Sequence, residues 1–252
     1  MLAGFYSIAS GMLVSQRKLE VLGNNLVNSQ TPGYHAQRVV ASPFEEQLAM
    51  RLEDYNTGAV GDVNPIAIVE TVSTQFQSGN LQDTGRNMDL AINGYGYFQV
   101  QGDAGITYLT RNGQFDVDEQ GYLILPNLGR VLSSDGQLIQ VGDTNFSVSE
   151  EGDVYSSEGE IVGTIRPMMP PNNEDDMVQY GNGVFGVPAG TALVDQADST
   201  ILQGRLELSN VDLTTEQTML LEAQNSFTAC STALQIYDQL NQRAATSVAS
   251  IN

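Results

Sequence analysis

Four places in the chain carry residue types that could do chemistry. Gly181, Gly183 and Gly186 in "GNGVFG" have the G-x-G-x-x-G spacing of a phosphate cradle. A nucleotide site needs that loop to run into a helix N-terminus, whereas Val187-Pro188 follows here, so the glycines read as a tight turn. Asp116, Asp118 and Gly121 in "DVDEQG" look like the start of a calcium loop. Gln120 stands at its fifth position and Asn127 where a bidentate glutamate belongs, so the ligand set is incomplete and a solvated hairpin is the better reading. His35 and Cys230 are the remaining candidates. A lone histidine with no nucleophile and orienting acid in a diagnostic motif is not a triad. A lone cysteine can form neither an internal disulfide nor a cysteine-rich zinc site, and Cys230 reads as a small packing residue. Paired carboxylates for glycoside hydrolysis exist in composition, but spacing nominates none. The expectation is a chain with no enzymatic activity, no metal and no cofactor.

Composition narrows the partners. The 252 residues carry 10 Lys+Arg against 30 Asp+Glu, a formal charge of -20. Such a surface repels nucleic acid and anionic lipid, so neither nucleic-acid binding nor direct membrane insertion is expected. The apolar opening "MLAGFYSIASGMLVSQRKLEV" places Arg17 and Lys18 after its apolar run, the reverse of a cleaved secretory leader. With 25 Gly and 8 Pro, the chain has the punctuation of a β-rich fold.

The elements that would position any functional group begin with two helices of one period. Phe5, Ile8, Met12, Ser15, Leu19, Leu22 and Leu26 recur at alternating intervals of three and four, a heptad stripe. Gly4, Gly11 and Gly23 each weaken that helix by up to about 1 kcal/mol relative to alanine, so a partner must supply stability. Near the other end Leu213, Glu216, Leu220, Ala223, Phe227, Cys230, Leu234, Tyr237 and Asn241 repeat the arithmetic. Asp212 as a cap, or Thr214 with Gln217 as a capping box, would start that helix. The two stripes either pair with each other or with other subunits, which is favoured, or pack separately on a central domain. Glu216 and Asn241 lie near the stripe's ends, where a polar seam residue costs less than at its centre.

Between the stripes the pattern is β. "MDLAINGYGYFQV" reads as a hairpin around Asn93-Gly94, and a second Asn-Gly pair lies in "YLTRNGQFDVDEQGYLIL". "FDVDEQG" and "FSVSEEG" echo each other as one hairpin solution used twice. "ILQGRLELSNVDL" reads as a return strand feeding the last helix. The domain reading is 1–40 for the N-terminal helix and exit turn, 41–80 for an extended linker and first strands, 81–210 for a β-rich outer domain with residues 166–190 as an insertion or boundary loop, and 211–252 for the C-terminal helix. The fold class is thus a mainly β central domain with N- and C-terminal α-helices that pair as a coiled-coil-like core. Asn24, Asn25, Asn28, Thr31, Pro32, Gly33 and Tyr34 form the helix exit: asparagines bond nearby backbone, Thr31-Pro32 disfavours further helix, Gly33 permits a turn, and Tyr34 docks as an anchor.

With "NNLVNSQTPGY", "QSGNLQDTGRNMDLAINGYGYFQV", "YLTRNGQFDVDEQGYLI" and "LQGRLELSNVDLTTE" together, the chain resembles the bacterial flagellar axial proteins of the rod and hook family, and among them the rod components. Val27 stands where the family motif usually has alanine, and "YGYF" where "DGFF"-like sequence is frequent. The resemblance implies a non-enzymatic building block of the basal body in the cell envelope, exported by the flagellar type III apparatus without a cleaved signal. Its partners would be copies of itself and other rod or hook proteins. The implied assembly seam is Phe5, Ile8, Met12, Leu19, Leu22 and Leu26 with Leu220, Ala223, Phe227, Leu234 and Tyr237. A hook or hook-like paralogue is the alternative, followed by a surface adhesin.

Overall fold

A computed structural model describes residues 2–43, 67–102, 105–171, 177–181, 183–188, 191–196 and 198–249. The linker expected after residue 41 lies largely outside these, as do 172–176, 182 and 189–190 of the expected insertion. The chain divides into two compact units: a helical one from residues 1–27, 37–75 and 212–252, and a β-rich one from residues 28–36 and 76–211.

In the helical unit, α1 (Leu2–Val27) packs against α2 (Leu213–Ala249), and strands Gln37–Pro43 and Ala67–Thr74 pair antiparallel beside α1. The terminal helices therefore pair with each other, the favoured of the two arrangements. Asp212 caps α2: its carboxylate accepts from the Thr214 amide at 3.0 Å and the Thr215 hydroxyl at 2.7 Å, while the Glu216 amide donates to its carbonyl at 2.9 Å.

In the β-rich unit a seven-stranded antiparallel sheet runs Val178–Gly181, Val184–Gly186, Thr107–Thr110, Phe98–Gln101, Gly129–Val131, Leu123–Leu125, Asp116–Val117. Its core gathers Leu90, Phe98, Val100, Phe115, Leu123, Phe146 and Ile201, with Phe98 and Phe115 edge to face at 5.1 Å. The echo is real structure. Gly121 donates to Asp118 and Asp118 to Tyr122, and Gly152 donates to Ser149 and Ser149 to Asp153, in the same pattern, each below a buried phenylalanine.

The hairpin expected around Asn93-Gly94 does not form. Leu90–Asn93 pairs with Thr200–Gln203, whereas Phe98–Gln101 pairs with Thr107–Thr110 and Gly129–Val131. Gly94 and Gly96, at φ 125° and 105°, carry the chain from one sheet to the other, and Cβ atoms there would crowd Ser199 and Pro167. The second Asn-Gly pair is no hairpin turn either. Gly113 accepts from the Leu90 amide at 3.0 Å, an approach so close that a Cβ would fall on the Leu90 carbonyl oxygen.

Candidate functional site

Of the residues that could have done chemistry, the glycines of the cradle-like spacing, Asp118 and Cys230 have structural places. Gly181 and Gly183, both at positive φ, turn the hairpin Val178–Gly181/Val184–Gly186, as the tight-turn reading expects. The Asp118 carboxylate accepts from the amides of Gln120 and Tyr122 and from Nε and Nη2 of Arg130, whose guanidinium lies 4.3 Å from the Tyr122 ring centre. Cys230 is half-buried and faces Gly11. Among the described residues no group of three or more His, Cys, Asp or Glu is placed to hold a metal ion, and no helix is long and apolar enough to cross a membrane.

What the helical unit does present is a registered helix pair. A methyl at Gly4 would lie 3.1 Å from the Tyr237 hydroxyl, and one at Gly11 3.5 Å from Cys230 Sγ, while Asn25 Nδ2 lies 3.2 Å from Glu216 Oε2. Steps of seven and fourteen along α1 are matched by equal steps backward along α2, the signature of an antiparallel heptad pairing. Of the stripe on α1, Leu22 is buried, Ile8, Met12, Leu19 and Leu26 are half-buried, and Phe5 is exposed; on α2, Ala223 is buried and Leu220, Phe227, Leu234 and Tyr237 are half-buried. A Cβ at Gly23 meets nothing within 4 Å. Gly23→Ala should therefore stabilise the helical unit by about 0.5–1 kcal/mol in urea titration, through helix propensity alone.

Two buried polar clusters include residues in or next to the exit motif, one in each unit. In the helical unit Asn25 is wholly buried. Its amide nitrogen donates to the Gln37 carbonyl at 2.9 Å and to Glu216, and its oxygen accepts from the Gln37 amide at 2.9 Å. Glu216 is 1% exposed and pairs with Arg38. The heptad pattern places Glu216 where polarity is cheap because it is near an end. Instead it is fully desolvated, and its ion pair with Arg38 and the hydrogen bond from Asn25 offset that cost.

In the β-rich unit the exit turn itself is built by Thr31, whose amide donates to the Asn28 carbonyl at 3.0 Å and whose hydroxyl lies 3.3 Å from Asn28 Oδ1. Pro32 follows half-buried, and Tyr34 is fully buried, while Asn24 in the helical unit is exposed. Gly33, at φ 67°, donates to the Glu207 carbonyl at 2.8 Å, and a Cβ there would lie 2.3 Å from the Arg111 carbonyl carbon. Asn210 accepts from the Ala36 amide at 2.7 Å and donates to Gln77 O at 2.8 Å.

Beneath this turn, Glu207 was not singled out by the sequence. It is 1% exposed, accepts from Arg111 Nη1 at 3.2 Å and the Gly79 amide at 2.9 Å, and has His35 Nε2 at 3.7 Å, an ion-pair distance too long for a hydrogen bond. Burial pushes its carboxyl up, but the imidazole, the Arg111 charge and the Gly79 amide outweigh burial and hold it below the usual glutamate value. In "RLEL" the strand alternation marks Glu207 as an outward residue. Its partners, Arg111 and His35, are distant in sequence, so no local signal could have found it.

Comparison with known proteins decides what this scaffold is. Residues 91–156 match the family model "Flagellar hook protein FlgE/F/G D1 domain" and residues 202–247 match "Flagellar basal body rod FlgEFG protein C-terminal". The chain is 31% identical to the Bacillus subtilis flagellar basal-body rod protein FlgG, covering 96% of this chain and 97% of that protein. The chain belongs to the flagellar rod and hook protein family. It is also 30% identical to the B. subtilis flagellar hook-basal body complex protein FlhO over the whole of both chains, and 28% identical to the Caulobacter vibrioides rod protein FlgF over 96% of each. As a member of the rod and hook family it is an axial structural subunit of the flagellum, and membership implies polymeric assembly with related subunits. Both matched segments lie in the regions whose motifs carry the resemblance, the β-rich hairpins and the C-terminal helix.

Proposed function

We propose that this rod and hook family member is a subunit of the basal-body rod, polymerising with copies of itself and with other rod or hook proteins into the shaft that transmits motor torque. The observation that carries this reading is the near full-length similarity to proteins named as rod components, joined to a heptad-registered pair of terminal helices. A heterologous interface repeated along a helix makes an open polymer without closing into a ring. In this reading the assembly seam is Phe5, Ile8, Met12, Leu19, Leu22 and Leu26 with Leu220, Ala223, Phe227, Leu234 and Tyr237, and the exit motif from Asn24 to Tyr34 fixes how the chain leaves that seam. The domain division stated from the sequence, with assembly helices at 1–40 and 211–252, belongs to the same proposal. The subunit passes through the flagellar type III export apparatus and resides in the basal body. A hook-like role is the second reading, favoured by the match of residues 91–156 to a hook-protein domain.

Leu220→Ala tests the proposal. Truncating a seam leucine costs about 2–5 kcal/mol where the cavity cannot relax, repeated at every subunit. Incorporation into purified basal bodies should fall while secreted monomer in the medium persists. Equal losses in both pools, or no loss in either, would contradict a seam whose work is assembly.

A further inference from the structure

The geometry points to a groove in the β-rich unit as a binding site for a neutral saccharide, a chain of β-linked pyranose rings. The groove, of about 570 Å³, lies wholly within that unit and shares no residue with the helix seam. Part of its lining is one end of the seven-stranded sheet, where Val184–Gly186 runs between Val178–Gly181 and Thr107–Thr110. Strand alternation sends Leu109 and Phe185 into a buried cluster on one face and leaves Tyr108, Val184 and Tyr180 to line the groove. Gly186 stands opposite Tyr108 and carries no side chain, so the Tyr180 ring lies across it: a Cβ at Gly186 would be 2.4 Å from Tyr180 Cε2. There the ring meets Tyr108 edge to face, with centroids 5.9 Å apart. Tyr180 is still 69% exposed, so glycine backbone braces a flat ring whose area stays mostly open to solvent.

The turn Leu125–Leu128 supplies another part of the lining. It closes with the Leu128 amide donating to the Leu125 carbonyl at 3.1 Å, with Pro126 in its second place and Asn127 in its third. Asn127, at φ 64°, is the one residue other than glycine with positive φ among the described residues. Glycine is the unstrained residue for that place, and the asparagine sets a carboxamide there instead.

The polar groups along the groove are neutral and unspent. Asn112 Oδ1 accepts from the Gln114 amide at 3.0 Å, which leaves its Nδ2 to donate. The Asn127 carboxamide and the hydroxyls of Tyr108 and Tyr180 have no hydrogen-bond partner among the described residues. None of the described residues lining the groove is charged, in a chain with 10 Lys+Arg and 30 Asp+Glu. An ionic ligand would find no counter-charge there, and a wholly apolar one would leave the amides and hydroxyls dry and unpaired. A sugar ring satisfies both halves: its C–H face stacks on the exposed tyrosine, and its hydroxyls exchange hydrogen bonds with the amides and phenols. Equatorial β-links keep the chain extended, so one ring lies flat on Tyr180 while the next continues along the groove, whereas α-links bend the chain away.

The test titrates the purified full chain with cellohexaose, chitohexaose and maltohexaose, read residue by residue by heteronuclear NMR. The two β-linked sugars differ in hydroxyl against acetamido on each ring, so a preference between them reports what the amides of Asn112 and Asn127 read. Either sugar should shift the side-chain amide signals of those asparagines and the backbone amides of Tyr108 and Tyr180, and α-linked maltohexaose should bind more weakly. Tyr180→Ala, a substitution at an exposed position, should raise Kd about tenfold. Asn127→Gly keeps a turn that accepts glycine, so Kd should rise roughly threefold while the urea midpoint stays at or above the parent's. Absence of shifts with both β-linked sugars, shifts confined to other parts of the chain, equal binding of maltohexaose, or the parent's Kd in either variant overturns the site.

Discussion

Glu207→Ala destabilises the β-rich unit by about 3–5 kcal/mol near neutral pH, because it leaves the Arg111 guanidinium buried without its counter-charge. Arg111 is 4% exposed; its other contacts, the Gly94 carbonyl at 2.7 Å and the face of Tyr97, are neutral and cannot replace a carboxylate. The Gly79 amide loses its acceptor in the same substitution. The pH dependence has a definite sign. The Glu207 carboxyl is held below its usual value, so its contribution is fully present above the ordinary glutamate pKa of about 4.3 and is lost as pH falls through the depressed value. Urea titrations of parent and Glu207→Gln should therefore differ most at neutral pH and converge in acid. A difference that grew on acidification would contradict the charge pairing.

Gly33→Ala is the second large effect, and it acts through the backbone. At φ 67° a side chain adds strain of about 1–3 kcal/mol. The new Cβ, 2.3 Å from the Arg111 carbonyl carbon and 2.4 Å from the Asn112 amide nitrogen, cannot be accommodated by rotating a side chain, since both neighbours are backbone. Overpacking of this kind adds a further roughly 1–3 kcal/mol. Hydrogen exchange should show lost protection at the Gly33 amide and along Arg205–Glu207, the strand whose Glu207 carbonyl that amide contacts. Unchanged protection there would mean that the turn tolerates a side chain and that Gly33 serves some other purpose.

What the sequence revealed and what it hid follow from the range of the interactions. The heptad stripes were legible because each is a local period, and a glycine-weakened helix called for a partner without saying which, so their mutual pairing was favoured over separate packing on a central domain and is what the structure shows. The Asn-Gly signals misled because a turn dipeptide reports backbone permissiveness and not which strand comes next: Gly94 serves a crossing between sheets and Gly113 a close approach to Leu90. In the exit motif, Gly33 and Tyr34 were legible from type and position. Asn25 was read as a local backbone binder and does bond Gln37, yet its burial against Glu216 depends on a residue near the other end of the chain. Glu207, Arg111 and His35 form a cluster only in three dimensions. Helix-end polarity misplaced Glu216 for a related reason, since its partner Arg38 comes from the strand after the exit turn and no pattern along α2 announces it.

Each cluster ties residues of the exit motif or next to it to a framework within its own unit: Asn25 and Gln37 to Glu216 in one, Gly33 to Glu207 in the other. The cost of burying Glu216 and Glu207 is offset within each unit by these contacts and by the pairing with Arg38 and Arg111.

The most direct test of the account is electron cryotomography of flagellar bases in the parent, in an in-frame deletion and in the complemented strain. A shortened or missing rod in the deletion, restored by the intact chain, is the result the account predicts. Complete rods lacking hooks would transfer the chain to the hook-like role, and complete, unaltered flagella in the deletion would contradict an indispensable place in the axis.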